Sequence, residues 1–224
     1  KQRFKANVKL YTFGAPRVGH TSFATHTEVA TNNHIYRCVH AGDPVPLVPV
    51  WPFMHASDEY ILHGAPTLSP LIHSMTKETP GYLHTASAFK SYAAINKGAE
   101  KRIQKDVRLD YEKRLECSRT TRWARKIGAA LVTYLQDTGN LYAIQNQLSS
   151  TLTVYDRIAR ALTDSVNFAE ERAKDVKGIM GYILAFCGLP HKLVELTYVA
   201  IRATLRLMLK KLGQMANLAM SLKA

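Results

Sequence analysis

The stretch whose reading decides the fold is Val8-Lys9-Leu10-Tyr11-Thr12-Phe13-Gly14-Ala15-Pro16-Arg17-Val18-Gly19, answered downstream by His34-Ile35-Tyr36-Arg37-Cys38-Val39-His40-Ala41-Gly42-Asp43-Pro44-Val45-Pro46. Val8 to Phe13 is apolar, β-branched and aromatic, and it stops at Gly14, which reads as a buried strand. His34 to His40 is a second strand, stopped by Gly42-Asp43-Pro44. Between them, Ser22 to Thr31 can form a helix. Strand, helix, strand is the repeating unit of a parallel α/β sheet. Asp43, directly after the second strand, is therefore expected at the carboxyl edge of that sheet, where α/β sites assemble.

Outward from this stretch the grammar changes. Trp51 to Leu71 reads as loop, with prolines at 49, 52, 66 and 70 in and around it, and Tyr82 to Asn96 reads as a helix. From Gly98 onward proline is absent except for Pro190, and Ala, Leu, Lys and Arg dominate. Ile103, Val107, Leu109, Tyr111 and Leu115 fall roughly at helical spacing. Asp137-Thr138-Gly139-Asn140 reads as a turn. A long helix is expected from Leu141 to Phe186, broken near Ser149-Ser150, and a last one from His191 to Leu222, with Pro190 placed to open it. The expected organisation is a strand-containing domain over residues 1–97 and an all-helical domain over 98–224.

The segments quoted first continue into Leu47-Val48-Pro49 and His55-Ala56-Ser57-Asp58-Glu59-Tyr60. Together with Phe23, these ordered elements resemble the C-terminal half of class 3 (fungal-type) lipases. In that family a strand ending in Tyr-Thr-Phe-Gly-x-Pro-Arg-Val-Gly follows the nucleophile-bearing helix, and a strand ending in Asp-x-Val-Pro supplies the triad aspartate. The match is close over residues 8–60, weak over 61–97 and silent on 98–224. The resemblance implies an α/β fold, a partial α/β-hydrolase sheet followed by an all-helical C-terminal domain. It implies a serine lipid hydrolase, lipase or phospholipase, with the triad in the order Ser, Asp, His, and no metal or cofactor.

On this resemblance Asp43 is the triad aspartate, which accepts a hydrogen bond from the imidazole and stabilises the imidazolium. Read alone, Gly42-Asp43-Pro44 is also ordinary turn chemistry. For the base, the family pattern is a histidine followed by a small residue and then an aromatic five positions on. His84 fits it, with Phe89 at that offset. His73 shares the first part of the pattern without the aromatic and is the alternative. His55, in His-x-x-x-Glu-Tyr, resembles a structural histidine of the family. Gly14, Pro16, Arg17 and Gly19 are expected to shape a loop, with Arg17 pairing with a buried carboxylate. Phe23 and Tyr60 are expected to pack.

No Gly-x-Ser-x-Gly occurs in the sequence, and without a nucleophile no acyl-enzyme forms. The chain starts almost on its first strand, so it reads as a piece of a longer protein. An N-terminal half of the same hydrolase carrying the serine is the expected partner, docked along the Val8–Phe13 edge. The competing class is an inert lipase-like scaffold whose basic helices bind a partner.

Lys and Arg total 30 against 17 Asp and Glu, a net charge of +13. That surplus attracts polyanions at long range. Gly178 to Phe186 is apolar nearly all round, and Arg202, Arg206 and Lys210 recur on one face. These read either as a membrane-surface helix pair or as a helical bundle with solvated cations. A lipase with such a tail also looks like a toxin or secreted effector, which needs an inhibitor or delivery partner, by fold-level analogy alone. The basic runs at 101–108 and 119–126 lack aromatic interleaving or a known module, so nucleic acid is not the expected partner. Cys38, Cys117 and Cys187 lie far apart, and form neither a disulfide framework nor a zinc motif.

Overall fold

A computed structural model describes residues 6–65, 67–78, 81–98, 106–146 and 153–222. It divides into two compact units, one of residues 1–102 with 212–224, the other of residues 103–211. Each is mixed or helical for reasons visible in its own sequence.

The first unit is built on a four-stranded sheet in the order β1 (Leu10–Phe13), β2 (Ile35–His40), β3 (Glu59–His63), β4 (Asn96–Gly98). The first three strands are parallel and the fourth is antiparallel. Helix α1 (Thr21–Ala30) connects β1 to β2. Strand period two sends Ile35 to the face where it meets Ala24 of α1 and Ala56. The same period sends Cys38 to the other face, with Tyr60, Leu62 and Tyr82 of helix α2 (Tyr82–Ser87). Both faces of β2 are thus covered.

Several expectations are corrected here. β1 is not buried: Leu10 is 39% and Tyr11 48% exposed. It pairs with β2 alone among the described residues, so its other edge lacks a strand to cover it. The expected loop over 51–71 contains β3, whose run Glu59-Tyr60-Ile61-Leu62-His63 was hidden among prolines and turn residues. The expected helix over 82–96 is only α2. After Ser87 the chain turns so that Tyr92 joins an aromatic cluster with Tyr11, Tyr36 and Tyr60 at ring separations of 4.7–5.8 Å.

The second unit is helical. Its elements are a 3₁₀ turn (Tyr111–Glu116), α3 (Thr121–Asp137), α4 (Leu141–Asn146), α5 (Val154–Val166), α6 (Glu170–Phe186) and most of α7 (Tyr198–Ser221). α6 packs against α3, α5 and the 3₁₀ turn. Its Ile179, Met180, Ile183 and Phe186 are at most 2% exposed, against Ile127, Leu135, Ile158 and Leu162 equally buried on α3 and α5. Each such side chain contributes about 1.5–3 kcal/mol on burial.

The apolar stretch Gly178–Phe186 is therefore core of a bundle, the second of the two readings. No helix among the described residues is long and apolar enough to cross a membrane. The basic face is partly used as well: Arg202 Nε lies 2.5 Å and Arg206 Nη2 3.4 Å from Asp156 Oδ1. Asp156 closes the N-terminus of α5, where Thr153 Oγ1 accepts its backbone N–H and donates to its Oδ2.

The expected helix over 141–186 is three, stopped at Asn167-Phe168 and restarted at Thr153, while the expected break at 149–150 lies outside the described residues. The last helix opens at Tyr198 rather than His191, where Thr197 Oγ1 accepts the Ala200 N–H. Residues 107–110 form no regular element. The last turns of α7 belong to the first unit, where Ala216 and Ala219 are buried against Val45 and Val48. The expected boundary at 98 had given the whole C-terminus to one domain.

Candidate active site

Asp43 stands at the carboxyl end of β2 and is 1% exposed. A buried carboxylate is tolerated when hydrogen-bond donors surround it, and three do. The Val45 N–H donates to Oδ1 at 2.8 Å. Oδ2 accepts from the Tyr82 hydroxyl at 2.8 Å and from His73 Nδ1 at 2.8 Å. The Val45 bond is local, an Asx-type turn closed by the 3₁₀ turn Val45–Leu47. The other two reach across 39 and 30 residues.

His73 ends the 3₁₀ turn Pro70–His73. The turn is tied to the strand end by the Ser69 N–H, which donates to the Gly42 carbonyl at 2.9 Å. Gly42 is needed there: a Cβ would lie 2.5 Å from the Thr67 carbonyl oxygen and 2.9 Å from Ile72 Cδ1. Gly14, at the end of β1, has φ +56° and faces the pair itself. A Cβ on it would lie 2.7 Å from Asp43 Oδ2 and 2.8 Å from His73 Nδ1. The motif glycine is where it is because the strand end must touch the Asp–His pair with backbone alone.

The structure brings His73, not His84, to Asp43. His84, the favoured base, lies on the exposed side of α2. Helical period places Tyr82 and Thr85 on one face and turns residue 84 away from it, and the buried pair is Tyr82 and Thr85. Phe89, the aromatic that recommended His84, packs under the sheet instead. His73, the alternative, is the imidazole that Asp43 holds. Its side chain is 20% exposed. Since a carboxylate only accepts, Nδ1 carries the proton, and the neutral ring presents a lone pair on Nε2.

Around the pair the loop is clamped through its backbone. Arg17 Nη1 donates to the Leu47 and Pro49 carbonyls at 3.2 and 3.3 Å. His55 Nε2 donates to the Pro46 carbonyl at 2.8 Å. A planar guanidinium bridges such a pair of carbonyls well.

Two residues of the site carried no flag in the sequence. Tyr82 is fully buried, and burial, with Asp43 beside it, pushes its hydroxyl well above the usual phenol range, so it donates. His40 is 2% exposed and stacks on the Tyr82 ring at 3.9 Å and 6°. Burial holds its imidazole below the ordinary 6.5. Its position, three before Asp43 on the same face of β2 as Cys38, was a signal that could have been read. No group of three or more metal-ligating side chains is gathered among the described residues.

The chain's first 53 residues match the family model described as lipase (class 3). Over 59 residues, 25% of this chain, it is 46% identical to the secreted mono- and diacylglycerol lipase 1 of Fusarium solani, spanning 17% of that protein's length. No solved structure matches the chain. The matched segment contains Gly14, His40 and Asp43, and over residues 1–53 the chain is similar to class 3 lipases.

Proposed function

We propose that this chain supplies the aspartate and the histidine of a serine hydrolase that cleaves acyl esters of lipids. The observation that carries the reading is the 2.8 Å bond from His73 Nδ1 to a buried Asp43 carboxylate, at the end of a parallel strand. Asp43 fixes the tautomer and stabilises the imidazolium. His73 Nε2 takes the proton of a serine hydroxyl as it attacks the ester carbonyl and returns it to the leaving alcohol. A water then repeats the cycle on the acyl-enzyme.

The hydroxyl comes from a segment outside residues 1–224, since no Gly-x-Ser-x-Gly lies within them. The free edge of β1, with Leu10 and Tyr11 exposed, is where such a segment adds to an α/β-hydrolase sheet. Acylglycerols are the substrate class, in line with the name of the Fusarium solani relative.

The test compares two histidines in the intact hydrolase, with a short-chain acylglycerol as substrate. His73→Ala lowers kcat by about 10⁴ or more, and His84→Ala leaves it within about threefold of the parent. The opposite ranking sinks the assignment of the base.

A further inference from the structure

The three donors on Asp43 leave one question open: what holds His73 in reach. His73 comes from a four-residue 3₁₀ turn, far along the chain from Asp43. Such a short turn has little rigidity of its own. Two bonds anchor it from the strand end. One is the Ser69 N–H on Gly42. The other is His40 Nδ1, 2.7 Å from the carbonyl of Ile72, the residue before His73.

The second nitrogen of His40 is also committed. Nε2 lies 2.7 Å from Thr85 Oγ1, on the helix that carries Tyr82. The His40 backbone N–H donates to the Tyr82 hydroxyl at 3.0 Å, the same hydroxyl that donates to Asp43. One residue therefore binds the turn that bears the imidazole and the helix that bears the phenol. It sits on the strand that bears the carboxylate. A histidine kept only for packing needs satisfied nitrogens; it has no reason to take all its partners from the segments that build one site.

We propose that His40 is a positioning residue, whose neutral ring holds the Ile72 carbonyl and thereby sets His73 against Asp43. This rests on the Asp43–His73 reading above. Because a carbonyl only accepts, Nδ1 of His40 carries the proton and Nε2 accepts from the Thr85 hydroxyl. The charged groups facing the ring are Asp43, His73 and His63, the last with its ring centroid at 5.6 Å. Burial disfavours a charged ring at His40, so the ring works in its neutral form.

Imidazole ¹⁵N spectra of the 224-residue chain near pH 7.5 test this without catalysis. In the wild type, His40 is the Nδ1–H tautomer, and His73 shows an exchange-protected Nδ1 proton. His40→Ala exchanges that His73 proton at least about tenfold faster or loses it, through local opening of the turn. His40→Asn, which can still donate to Ile72, restores it. A His40 found as the Nε2–H tautomer in the wild type overturns the proposal, and this reading needs no variant to fold. So does an unchanged His73 proton in a folded His40→Ala. Asp43→Asn separates the two readings. If it leaves the His73 proton untouched, the Asp–His pair itself fails; if it removes the proton while His40→Ala does not, only the role of His40 fails.

Discussion

The two units bury different chemistry. Around β2 the first unit buries Arg37, His40, Asp43, Glu59 and Thr85 beside its apolar residues. In the second unit the buried polar residues are Thr133, Asp156 and Ser165, set in a core of Ile, Leu, Met and Phe. A helical bundle needs its core only for stability, so apolar side chains serve it best. A sheet edge that must hold a carboxylate and an imidazole at a fixed distance needs buried polar partners, and each must be satisfied.

The largest effect that could break this contrast is in the bundle. Phe186 is fully buried on α6, and Phe186→Ala costs about 3–5 kcal/mol of the second unit's stability. The tryptophans fall one in each unit. With Trp51 replaced by Phe, urea unfolding can be followed through Trp123, whose ring lies 5.2 Å from Tyr182. A loss below about 1 kcal/mol would mean that the core collapses around the gap and is not the close-packed bundle described.

A smaller effect on stability, but a sharper one on the site, is expected at Gly14. Gly14→Ala meets the left-handed backbone cost of about 1–2 kcal/mol and drives a methyl into Asp43 Oδ2 and His73 Nδ1. The exchange-protected His73 proton disappears in this variant. Its survival would show that the pair has slack, and that the first unit is no more exacting than the second.

The smallest effect separates the units by pH. Burial holds His40 below 6.5 in the folded chain, so the unfolded chain binds the extra proton first. The stability this contributes is complete above pH 6.5 and is lost as pH falls below it. The slope is at most about 1.4 kcal/mol per pH unit. Asp156 is held from 3.8 down to about 2, chiefly by the Arg202 hydrogen bond. Its contribution is complete above pH 3.8 and is lost only as pH falls towards 2. Acid titration at low salt, followed through Trp51 and Trp123 separately, should therefore soften the first unit before the second. His40→Asn removes the upper step. An upper step that persists in that variant belongs to another histidine.

Much of this was legible in the residues themselves. The run into Gly14 and the run into Asp43 announced two strands, because apolar, β-branched and aromatic residues that stop at a turn favour a strand. The change of composition after residue 98 announced helices. Element ends were less legible. β3 hid among prolines, the helix after Tyr82 ended early because Tyr92 was drawn to the tyrosines under the sheet, and α7 began late because Thr197 caps it.

The partner of Asp43 was the part that sequence order could not supply. His84 had the better local pattern and His73 the better place in space. A motif records neighbours along the chain, and the bond that matters spans 30 residues. What the sequence alone determined was a strand ending at Gly14, a second ending just before Asp43, and the likeness of residues 1–53 to class 3 lipases. Which imidazole meets that carboxylate was decided only by folding: a helix turns residue 84 outward for the same geometric reason that it turns Tyr82 and Thr85 in, and a short turn tied to Gly42 and His40 delivers residue 73 instead.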